Sequence, residues 1–214
     1  MHSLKKLAQA VKNGKNMMAV SLTGELIANG VPIEHIVEKG LTEPLNSLSS
    51  KCTTEDLDLL EIMLAGRAMM DVMDVIVRSG KNLNENSVET RVVLGTIKGD
   101  IHDLGRKVVK IIFTLAGIKV FDLGVDVEPE RFVEAALKYN ASIIAVSSLI
   151  TIASASAKEV RKFADSAGLE STKIIAGGAG FRMSSEKYLH VDYVAQTVFD
   201  GLDYVLALGK EGQR

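Results

Sequence analysis

A carboxylate and an imidazole stand two positions apart near the middle of the chain, at Asp100 and His102, and Gly105 follows three positions later. A carboxylate that binds one ring nitrogen of a histidine fixes its tautomer and makes the other nitrogen a better metal donor. Glycine lets a backbone approach another group closely. The pattern is compatible with a metal-ligating histidine, but these three residues alone favour a structural or capping role.

Two further segments of small and hydroxylated residues favour the metal-ligand interpretation. They are residues 147–151, Ser-Ser-Leu-Ile-Thr, and residues 177–180, Gly-Gly-Ala-Gly. Each follows a predicted β-strand directly, as the segment with His102 does. The carboxyl ends of parallel strands lie at one edge of a sheet, where ligands bind. Small residues at three strand ends predict a narrow channel for one flat or elongated ligand.

The pattern of the chain from residue 91 onward predicts the fold that would bring these segments together. Short β-rich runs alternate with amphipathic helical stretches, which predicts an α/β domain with a Rossmann-like (flavodoxin-like), doubly wound, five-stranded parallel sheet. The predicted strands are 91–96, 118–121, 142–146, 173–176 and 192–195. The predicted helices are 105–116, 129–139, 153–167, 184–189 and 197–208.

The preceding part of the chain shows helical periodicity and predicts a four-helix bundle. Gly14 and Gly30 predict the ends of the first two helices, and Thr53 with Asp56 forms a capping box before the fourth. A polar, Asn-rich segment without a period then predicts a linker. The predicted units are a helical cap (1–80), a linker (81–90) and an α/β domain (91–214).

Composition and charge exclude several classes of protein. The chain has 25 Lys+Arg against 27 Asp+Glu, a net charge of −2, so it lacks the basic surface that nucleic-acid binding needs. No apolar run approaches the roughly 18–20 residues of a membrane span, and the first residues lack the apolar region of a signal peptide. Cys52 is the single cysteine, which excludes a disulfide scaffold. We expect a cytoplasmic protein without nucleic-acid or membrane partners.

Taken together, the three segments resemble the cobalamin-binding domain of corrinoid methyl-carrier proteins and of cobalamin-dependent methionine synthase. The signature of that family is Asp-x-His-x-x-Gly, then Ser-x-Leu, then Gly-Gly. The chain has, in this order and at matching intervals, Asp100-Ile101-His102-Asp103-Leu104-Gly105, Ser147-Ser148-Leu149 and Gly177-Gly178. A helical cap ahead of the α/β domain belongs to the same plan, which is most similar to the stand-alone corrinoid proteins of methanol and methylamine methyltransferase systems.

The resemblance implies cobalamin as the cofactor, with His102 as the cobalt ligand in place of a displaced lower base and Asp100 as its hydrogen-bond partner. The other residues implied in cofactor binding lie under the corrin ring or along the displaced nucleotide tail: Gly99, Ile101, Asp103, Leu104, Gly105, Ser147, Leu149, Thr151, Gly177, Gly178 and Thr197. In methionine synthase a serine extends the Asp–His pair, and its register gives Ala153 here. The predicted proton relay is therefore limited to Asp100 and His102, unless Ser154 or water replaces that serine hydroxyl.

The function implied by the resemblance is that of a methyl carrier, in which cobalt accepts a methyl group and passes it on. A chain of 214 residues has no room for a substrate-activating barrel. The resemblance thus implies separate partners: a substrate-specific methyltransferase, a second methyltransferase acting on a thiol or tetrahydrofolate, and a reductive activase. The chain itself would be a non-catalytic or co-catalytic component, with the linker as the hinge of a movable cap.

The sequence does not identify which residue of the helical cap shields the upper face of the corrin. The aromatic residue that the family often places near the start of the fourth cap helix is absent. Leu64, Met69, Met70 and Met73 are the candidates, although a row of methionines at helical spacing predicts bundle core first.

Three rival functions are weighed against the methyl carrier. A cobalamin-dependent sensor shares the pocket, but a DNA-binding sensor needs a basic segment that this charge balance lacks. The cobalamin subunit of a mutase shares the Asp–His pair, but the helical cap favours methyl transfer. A signalling receiver needs a phosphorylatable aspartate after the third strand, where the chain has Ser147.

Overall fold

The structure is a computed structural model that describes residues 2–44, 59–80 and 90–211. The chain divides into two compact units, residues 1–81 and 82–214. Most of the predicted linker lies outside the described residues, as do Cys52 and the Thr53–Asp56 capping box, so the boundaries 1–80, 81–90 and 91–214 stay a prediction. None of the helices in the described ranges is both long and apolar enough to cross a membrane.

The first unit is helical throughout its described part, as its periodicity predicts. Its elements are α1 (His2–Lys12), α2 (Asn16–Ala28), α3 (Ile33–Val37), a π-helical turn (Glu38–Thr42) and α4 (Leu59–Arg78). Gly14 and Gly30 have φ angles of +62° and +74°, which end α1 and α2 in the left-handed conformation that glycine tolerates. A Cβ atom at Gly40 would approach Cδ2 of Leu7 to 2.6 Å, so glycine lets the π-helical turn pack closely on α1.

The methionines of α4 divide between the core and the surface. Met69 and Met73 are buried, as the bundle-core interpretation predicts. Met63 and Val77 of the same helix are 64% and 44% exposed, so they do not belong to the core of this unit. Among the candidates named for shielding a ligand, Leu64 is exposed and the two core methionines are not available on the surface of this unit.

The second unit contains a five-stranded parallel sheet in the order β2-β1-β3-β4-β5, which confirms the predicted fold class. The strands are β1 (Arg91–Thr96), β2 (Lys119–Asp122), β3 (Ile143–Ser147), β4 (Lys173–Gly177) and β5 (Tyr193–Ala195). The helices are α5 (Leu104–Leu115), α6 (Pro129–Tyr139), α7 (Ser154–Ser166), α8 (Glu186–Leu189) and α9 (Val198–Glu211), with a 3₁₀ turn at Thr151–Ala153. The predicted strand bounds agree with these to within one residue at each end.

The sheet positions a ligand site through its topology. β1, β3 and β4 are almost wholly buried, as expected for parallel strands with a helical layer on each face. The chain leaves β1 toward β2 on one side, and β3 lies on the other side of β1, so the strand order reverses between them. Such a reversal opens a crevice at the carboxyl ends of the two strands. The loops after β1 and β3 lie there.

Candidate functional site

The three predicted segments begin side by side at the carboxyl edge of the sheet. Thr96, the last residue of β1, is in register with Ser147, the last residue of β3, and Ser147 is in register with Gly177, the last residue of β4. Backbone hydrogen bonds continue past the strands, since Ile97 N–H donates to the carbonyl of Ser147 at 3.1 Å. The spatial proximity that the sequence predicts for the three segments is therefore present.

Asp100 is the centre of the site. Its side chain is fully buried, and each of its carboxylate oxygens accepts hydrogen bonds. Oδ1 faces His102, accepting from its backbone N–H at 2.9 Å and lying 2.7 Å from its ring nitrogen Nδ1. Oδ2 faces the loop after β3, accepting from the Ser148 hydroxyl at 2.7 Å and from the Leu149 N–H at 2.6 Å. The N–H of Ile150 adds a longer contact to Oδ2 at 3.3 Å.

These contacts keep Asp100 ionised. Burial disfavours the charged carboxylate, but hydrogen bonds from the backbone N–H of His102, the Ser148 hydroxyl, the Leu149 N–H and the His102 ring outweigh it, so the pKa of Asp100 lies below its usual range. An ionised carboxylate only accepts hydrogen bonds. The proton between Asp100 and His102 therefore resides on Nδ1 of the imidazole.

The contact with Asp100 occupies one ring nitrogen of His102, Nδ1. With Nδ1 protonated, the lone pair of a neutral imidazole is on Nε2. The side chain of His102 is 53% exposed although its partner Asp100 is fully buried. Thr96 also holds the backbone at this position, since its hydroxyl donates to the carbonyl of His102 at 3.0 Å. The arrangement matches the carboxylate–histidine pair that orients metal ligands in proteins.

The predicted two-membered relay is wrong, because a third side chain completes it. Ala153 is buried and carries no hydroxyl, as the sequence shows, but the hydroxyl of Ser148 reaches Asp100 from the loop after β3. Sequence reasoning missed Ser148, which stands at the variable position of Ser-x-Leu. The side chains of adjacent residues in an extended segment point to opposite sides. The pair Ser147-Ser148 could therefore have indicated that one of the two hydroxyls faces the loop after β1.

The Gly-Gly-Ala-Gly segment holds the backbone of Ser148. The N–H of Ser148 donates to the carbonyl of Gly177 at 3.0 Å, and its carbonyl accepts from the N–H of Gly180 at 3.1 Å. Gly178 has a φ of +102°, and a Cβ atom there would lie 2.2 Å from the carbonyl oxygen of Ser148. Packing within the protein thus requires glycine at position 178, independently of any ligand.

A second loop, residues 122–127, supports the His102 segment from the side of β2. Asp126 accepts a hydrogen bond from Gly99 N–H on its Oδ1 at 2.8 Å, and donates its own N–H to the carbonyl of Asp100 at 3.0 Å. Its φ of +53° is unusual for a residue other than glycine. Asp126 was not predicted as a site residue, because nothing in the sequence marks a left-handed aspartate.

The other predicted residues lie on the same edge of the sheet or at its margin, and of these Leu149 donates its N–H to the Asp100 carboxylate. Ile101, Leu149 and Thr151 are exposed on the loops after β1 and β3. Asp103 pairs with Lys107 at 2.5 Å, Leu104 begins α5, and Gly105 is exposed beside it. Thr197 follows β5, where its hydroxyl oxygen accepts from Asp200 N–H at 3.1 Å and caps α9.

A doubly wound sheet with a carboxylate-oriented histidine at its switch point defines a class of α/β ligand-binding domains, and comparison with known proteins identifies the family. A model described as "B12 binding domain" matches residues 90–202, and a second model with the same description matches residues 3–76. The chain therefore belongs to the family of B12-binding corrinoid proteins, which confirms the resemblance predicted from its three motifs.

Similar proteins carry related names. A corrinoid protein of Desulfitobacterium hafniense (strain Y51) is 28% identical over 95% of both chains. Monomethylamine corrinoid protein 1 of Methanosarcina barkeri is 31% identical over 81% of this chain and 82% of its own. The solved structure of the Methanosarcina barkeri monomethylamine corrinoid protein superposes with a TM-score of 0.81 at 27% identity, covering 95% of this chain and 96% of that one.

Proposed function

We propose that this protein is a methyl carrier that holds cobalamin at the carboxyl edge of its sheet, with Nε2 of His102 as the cobalt ligand in place of the displaced lower base. The observation that supports this proposal is the 2.7 Å contact between Nδ1 of His102 and the buried, ionised Asp100. It leaves a neutral imidazole, in a side chain that is 53% exposed, with its lone pair on Nε2, which is the donor that a cobalt ion can use.

The surroundings of His102 fit a large, mainly apolar ligand. Ile101 is 75% exposed, Ile152 is 81% exposed and Leu149 is 42% exposed, on the loops that also supply Asp100 and its partners. Several large apolar side chains exposed on neighbouring loops indicate a surface that is covered in use. A corrin ring bound above His102 would cover such a surface.

The glycines and hydroxyls at the same edge fit an elongated tail. A Cβ atom built on Gly105 would have no neighbour within 4 Å, and one on Gly177 would have Ala195 as its nearest neighbour, at 3.8 Å. There is thus open space beside both backbones. Thr151 and Thr197 are exposed and Ser147 is half-buried, so their hydroxyls are available to donate hydrogen bonds to a phosphate or ribose oxygen.

When bound, a corrinoid supplies a cobalt centre that accepts a methyl group and releases it to an acceptor. The residues of this chain hold that centre rather than the methyl donor. Asp100 keeps a proton on Nδ1 of His102, so the strength of the His102 ligand depends on the contacts of the carboxylate. We assign the chemistry on the methyl donor and acceptor to partner proteins: a methyltransferase for methanol or a methylated amine, a second methyltransferase acting on a thiol or tetrahydrofolate, and a reductive activase. The names of the similar methylamine corrinoid proteins support this assignment.

Electron paramagnetic resonance can test the ligand assignment directly. The chain is labelled with ¹⁵N-histidine, loaded with unlabelled cobalamin and reduced to the cobalt(II) form. A ¹⁵N ligand splits the cobalt lines into doublets, whereas the ¹⁴N of the cofactor's own base splits them into triplets. We expect doublets for the native chain and their loss in His102→Ala. Triplets in the native chain would overturn the assignment.

The matched control is His35→Ala, which removes an exposed imidazole from the helical unit. It should keep the doublets of the native chain. The carrier function is tested with a methyltransferase encoded beside this chain and ¹³C-methyl-labelled methylamines or methanol. Label should accumulate on the protein-bound corrinoid of the native chain and of the control. Absence of label with every such donor and partner would contradict the proposed function.

A further inference from the structure

Ser148 stands at the second position of Ser-x-Leu, where the family signature specifies no residue type. It follows the last residue of β3 and is 1% exposed. Its hydroxyl oxygen lies 2.7 Å from Oδ2 of Asp100 and 2.9 Å from the carbonyl oxygen of Ile150. A hydroxyl has one hydrogen, and a bond to an ionised carboxylate is roughly twice as strong as one to a neutral carbonyl. The Ser148 hydroxyl therefore donates to Asp100.

The location of this hydroxyl is tightly fixed by the protein. Gly177 and Gly180 bind the N–H and the carbonyl of Ser148, and Gly178 packs so closely that a Cβ atom would collide with that carbonyl. The backbone of Ser148 is consequently held on both sides, and little freedom is left for its short side chain. A donor in a fixed place can impose an orientation on the group that accepts from it.

The group that accepts from Ser148 is also the group that orients His102. The carboxylate of Asp100 can rotate about its last side-chain bond, and its two oxygens have different partners. Ser148 is the only side chain among the described donors to Oδ2, where it acts with the N–H of Leu149. These donors hold Oδ2 toward the loop after β3. They thereby keep the carboxylate in the orientation in which Oδ1 can accept a hydrogen bond from Nδ1 of His102.

We propose that Ser148 is a positioning residue for the cobalt ligand: its hydroxyl fixes the carboxylate of Asp100, and through it the tautomer and orientation of the His102 ring. The role attributed to cobalt rests on the proposed function, but the effect on the imidazole does not, because all the contacts exist within the protein. Ser148 touches neither the substrate nor the metal.

The test begins with the chain without cofactor. ¹⁵N NMR of labelled histidine at pH 9, where an ordinary imidazole is neutral, distinguishes a protonated from an unprotonated ring nitrogen. His102→Ala identifies the His102 signals among the four histidines. The native chain should show Nδ1 protonated. Ser148→Ala should shift the tautomer ratio toward Nε2–H by about fivefold, which corresponds to the loss of one hydrogen bond of about 1 kcal/mol.

Two further variants at position 148 separate the effect of losing the hydroxyl from the effect of losing side-chain volume, and a third variant is a control in the helical unit. Ser148→Thr keeps the hydroxyl and should keep the native ratio. Ser148→Cys keeps the volume but offers only a weak donor, so it should behave as Ser148→Ala does, and it also replaces that variant if Ser148→Ala does not fold. Thr23→Val removes a buried hydroxyl of the helical unit, which binds the carbonyl of Ala19 at 2.8 Å, and should leave His102 unchanged. Equal ratios in Ser148→Ala and the native chain, or equal shifts in the Ala and Thr variants, would overturn the proposal.

The second readout is the absorption spectrum of each variant with cobalamin, which reports the fraction of cobalt ligated by the histidine. Ser148→Ala should lower the ligation constant about tenfold, and Ser148→Thr should restore it. A shifted tautomer ratio in a chain that binds no cobalamin would overturn the proposed function and support the positioning role. Native ligation in Ser148→Ala together with an unchanged tautomer ratio would overturn the positioning role and leave the proposed function intact.

Discussion

Asp126 accepts a hydrogen bond from the backbone N–H of Gly99 on its Oδ1 at 2.8 Å and thereby ties the loop after β2 to the loop that carries His102. Its own N–H donates to the carbonyl of Asp100 at 3.0 Å, so the two loops are joined at two adjacent points. The bond requires a φ of +53° at Asp126. Left-handed conformations cost a residue with a Cβ roughly 1 kcal/mol. The strained residue is therefore one whose hydrogen bonds support the loop that carries His102.

The first prediction concerns Asp126. Asn tolerates the left-handed conformation and can still accept from Gly99, so Asp126→Asn should keep nearly native protection of the Gly99 amide. Asp126→Gly relieves the backbone but loses the acceptor, and Asp126→Ala loses the acceptor and keeps the strain. Hydrogen exchange at Gly99 should accelerate about fivefold in the Gly variant, since a hydrogen bond contributes about 1 kcal/mol, and further in the Ala variant. Equal exchange rates in all three variants would contradict the supporting role of this carboxylate.

The second prediction concerns Gly178. A Cβ atom there meets the carbonyl oxygen of Ser148 at 2.2 Å, and the φ of +102° adds backbone strain. We expect Gly178→Ala to destabilise the α/β unit by about 3 kcal/mol, from overpacking and strain together. It should also displace Ser148 and so shift the amide resonance of Leu149. The loss can be measured from the urea dependence of the β1 amide signals.

Gly168→Ala is the matched control for this prediction. Gly168 has a φ of +74°, but a Cβ atom there would have no neighbour within 4 Å. It should cost about 1 kcal/mol for the backbone alone and leave Leu149 unchanged. If both glycine variants lost the same stability and neither moved Leu149, the close approach of Gly178 to Ser148 would have no consequence.

The sheet and the Asp100–His102 contact could be predicted from the sequence because both are local in origin. Buried parallel strands appear as short apolar runs bounded by turn residues, and a contact between residues two positions apart needs no knowledge of the rest of the chain. The three motif segments could also be placed at one edge, since parallel strands share their carboxyl side. These predictions needed only strand identity and strand direction.

The remaining features depend on register and on dihedral angles. Ser148 and Asp100 are 48 residues apart, and their contact exists only because β1 and β3 pair with Thr96 opposite Ser147. A shift by one residue would turn the hydroxyl to the other side of the strand. The left-handed aspartate at position 126 and the π-helical turn after α3 result from tertiary packing, which local patterns do not encode.

The third prediction concerns the charge of Asp100. The Asp100 carboxylate has five described hydrogen-bond partners that present a hydrogen to it, two at Oδ1 and three at Oδ2. The NH₂ group of an asparagine at this position would therefore face hydrogen-bond donors in either orientation of the amide. Asp100→Asn should therefore cost about 2–3 kcal/mol, as expected for buried polar groups left unsatisfied. If the NH₂ group faces His102, Nδ1 must become the acceptor and Nε2 carries the proton. We expect the histidine-ligated fraction of bound cobalamin to fall more than in Ser148→Ala, measured by the same absorption spectra.

Glu128→Gln is the control for this charge. It removes a carboxylate that is 50% exposed and pairs with Lys98 on the loop that carries His102. Exposed pairs contribute about 0–1 kcal/mol, so both stability and ligation should stay close to native. Comparable losses of ligation in the two variants would indicate that net charge near this loop, rather than the hydrogen-bond geometry of Asp100, sets the strength of the ligand.

The fourth prediction concerns acid stability and rests on Asp122, at the end of β2. Burial disfavours its charged form, but hydrogen bonds from Gly124 N–H and Arg106, the charge of Arg106 and the contact with Lys110 lower the pKa of Asp122 below its usual range. The side chain of Arg106 is only 7% exposed. A carboxyl whose pKa is depressed in the folded state stabilises above its unfolded pKa, about 3.9, and this stabilisation is lost as the pH falls through the folded value.

Asp122→Asn would leave the buried Arg106 guanidinium without a counter-charge, at a cost of about 3 kcal/mol near neutral pH. The difference from the native chain should be largest between about pH 5 and pH 7 and should shrink below about pH 4. There the carboxyl of the unfolded chain takes up a proton while the folded one stays ionised, so the stabilisation falls until the pH passes the folded pKa. Glu128→Gln, which removes a half-exposed pair with Lys98, should change stability by less than about 1 kcal/mol throughout. Urea unfolding of the full chain, followed through the β1 amide signals at pH 7, 5 and 3.5, measures all three proteins. A gap between native and Asp122→Asn chains that stays constant with pH would show that the Asp122 carboxylate contributes through packing and not through its charge.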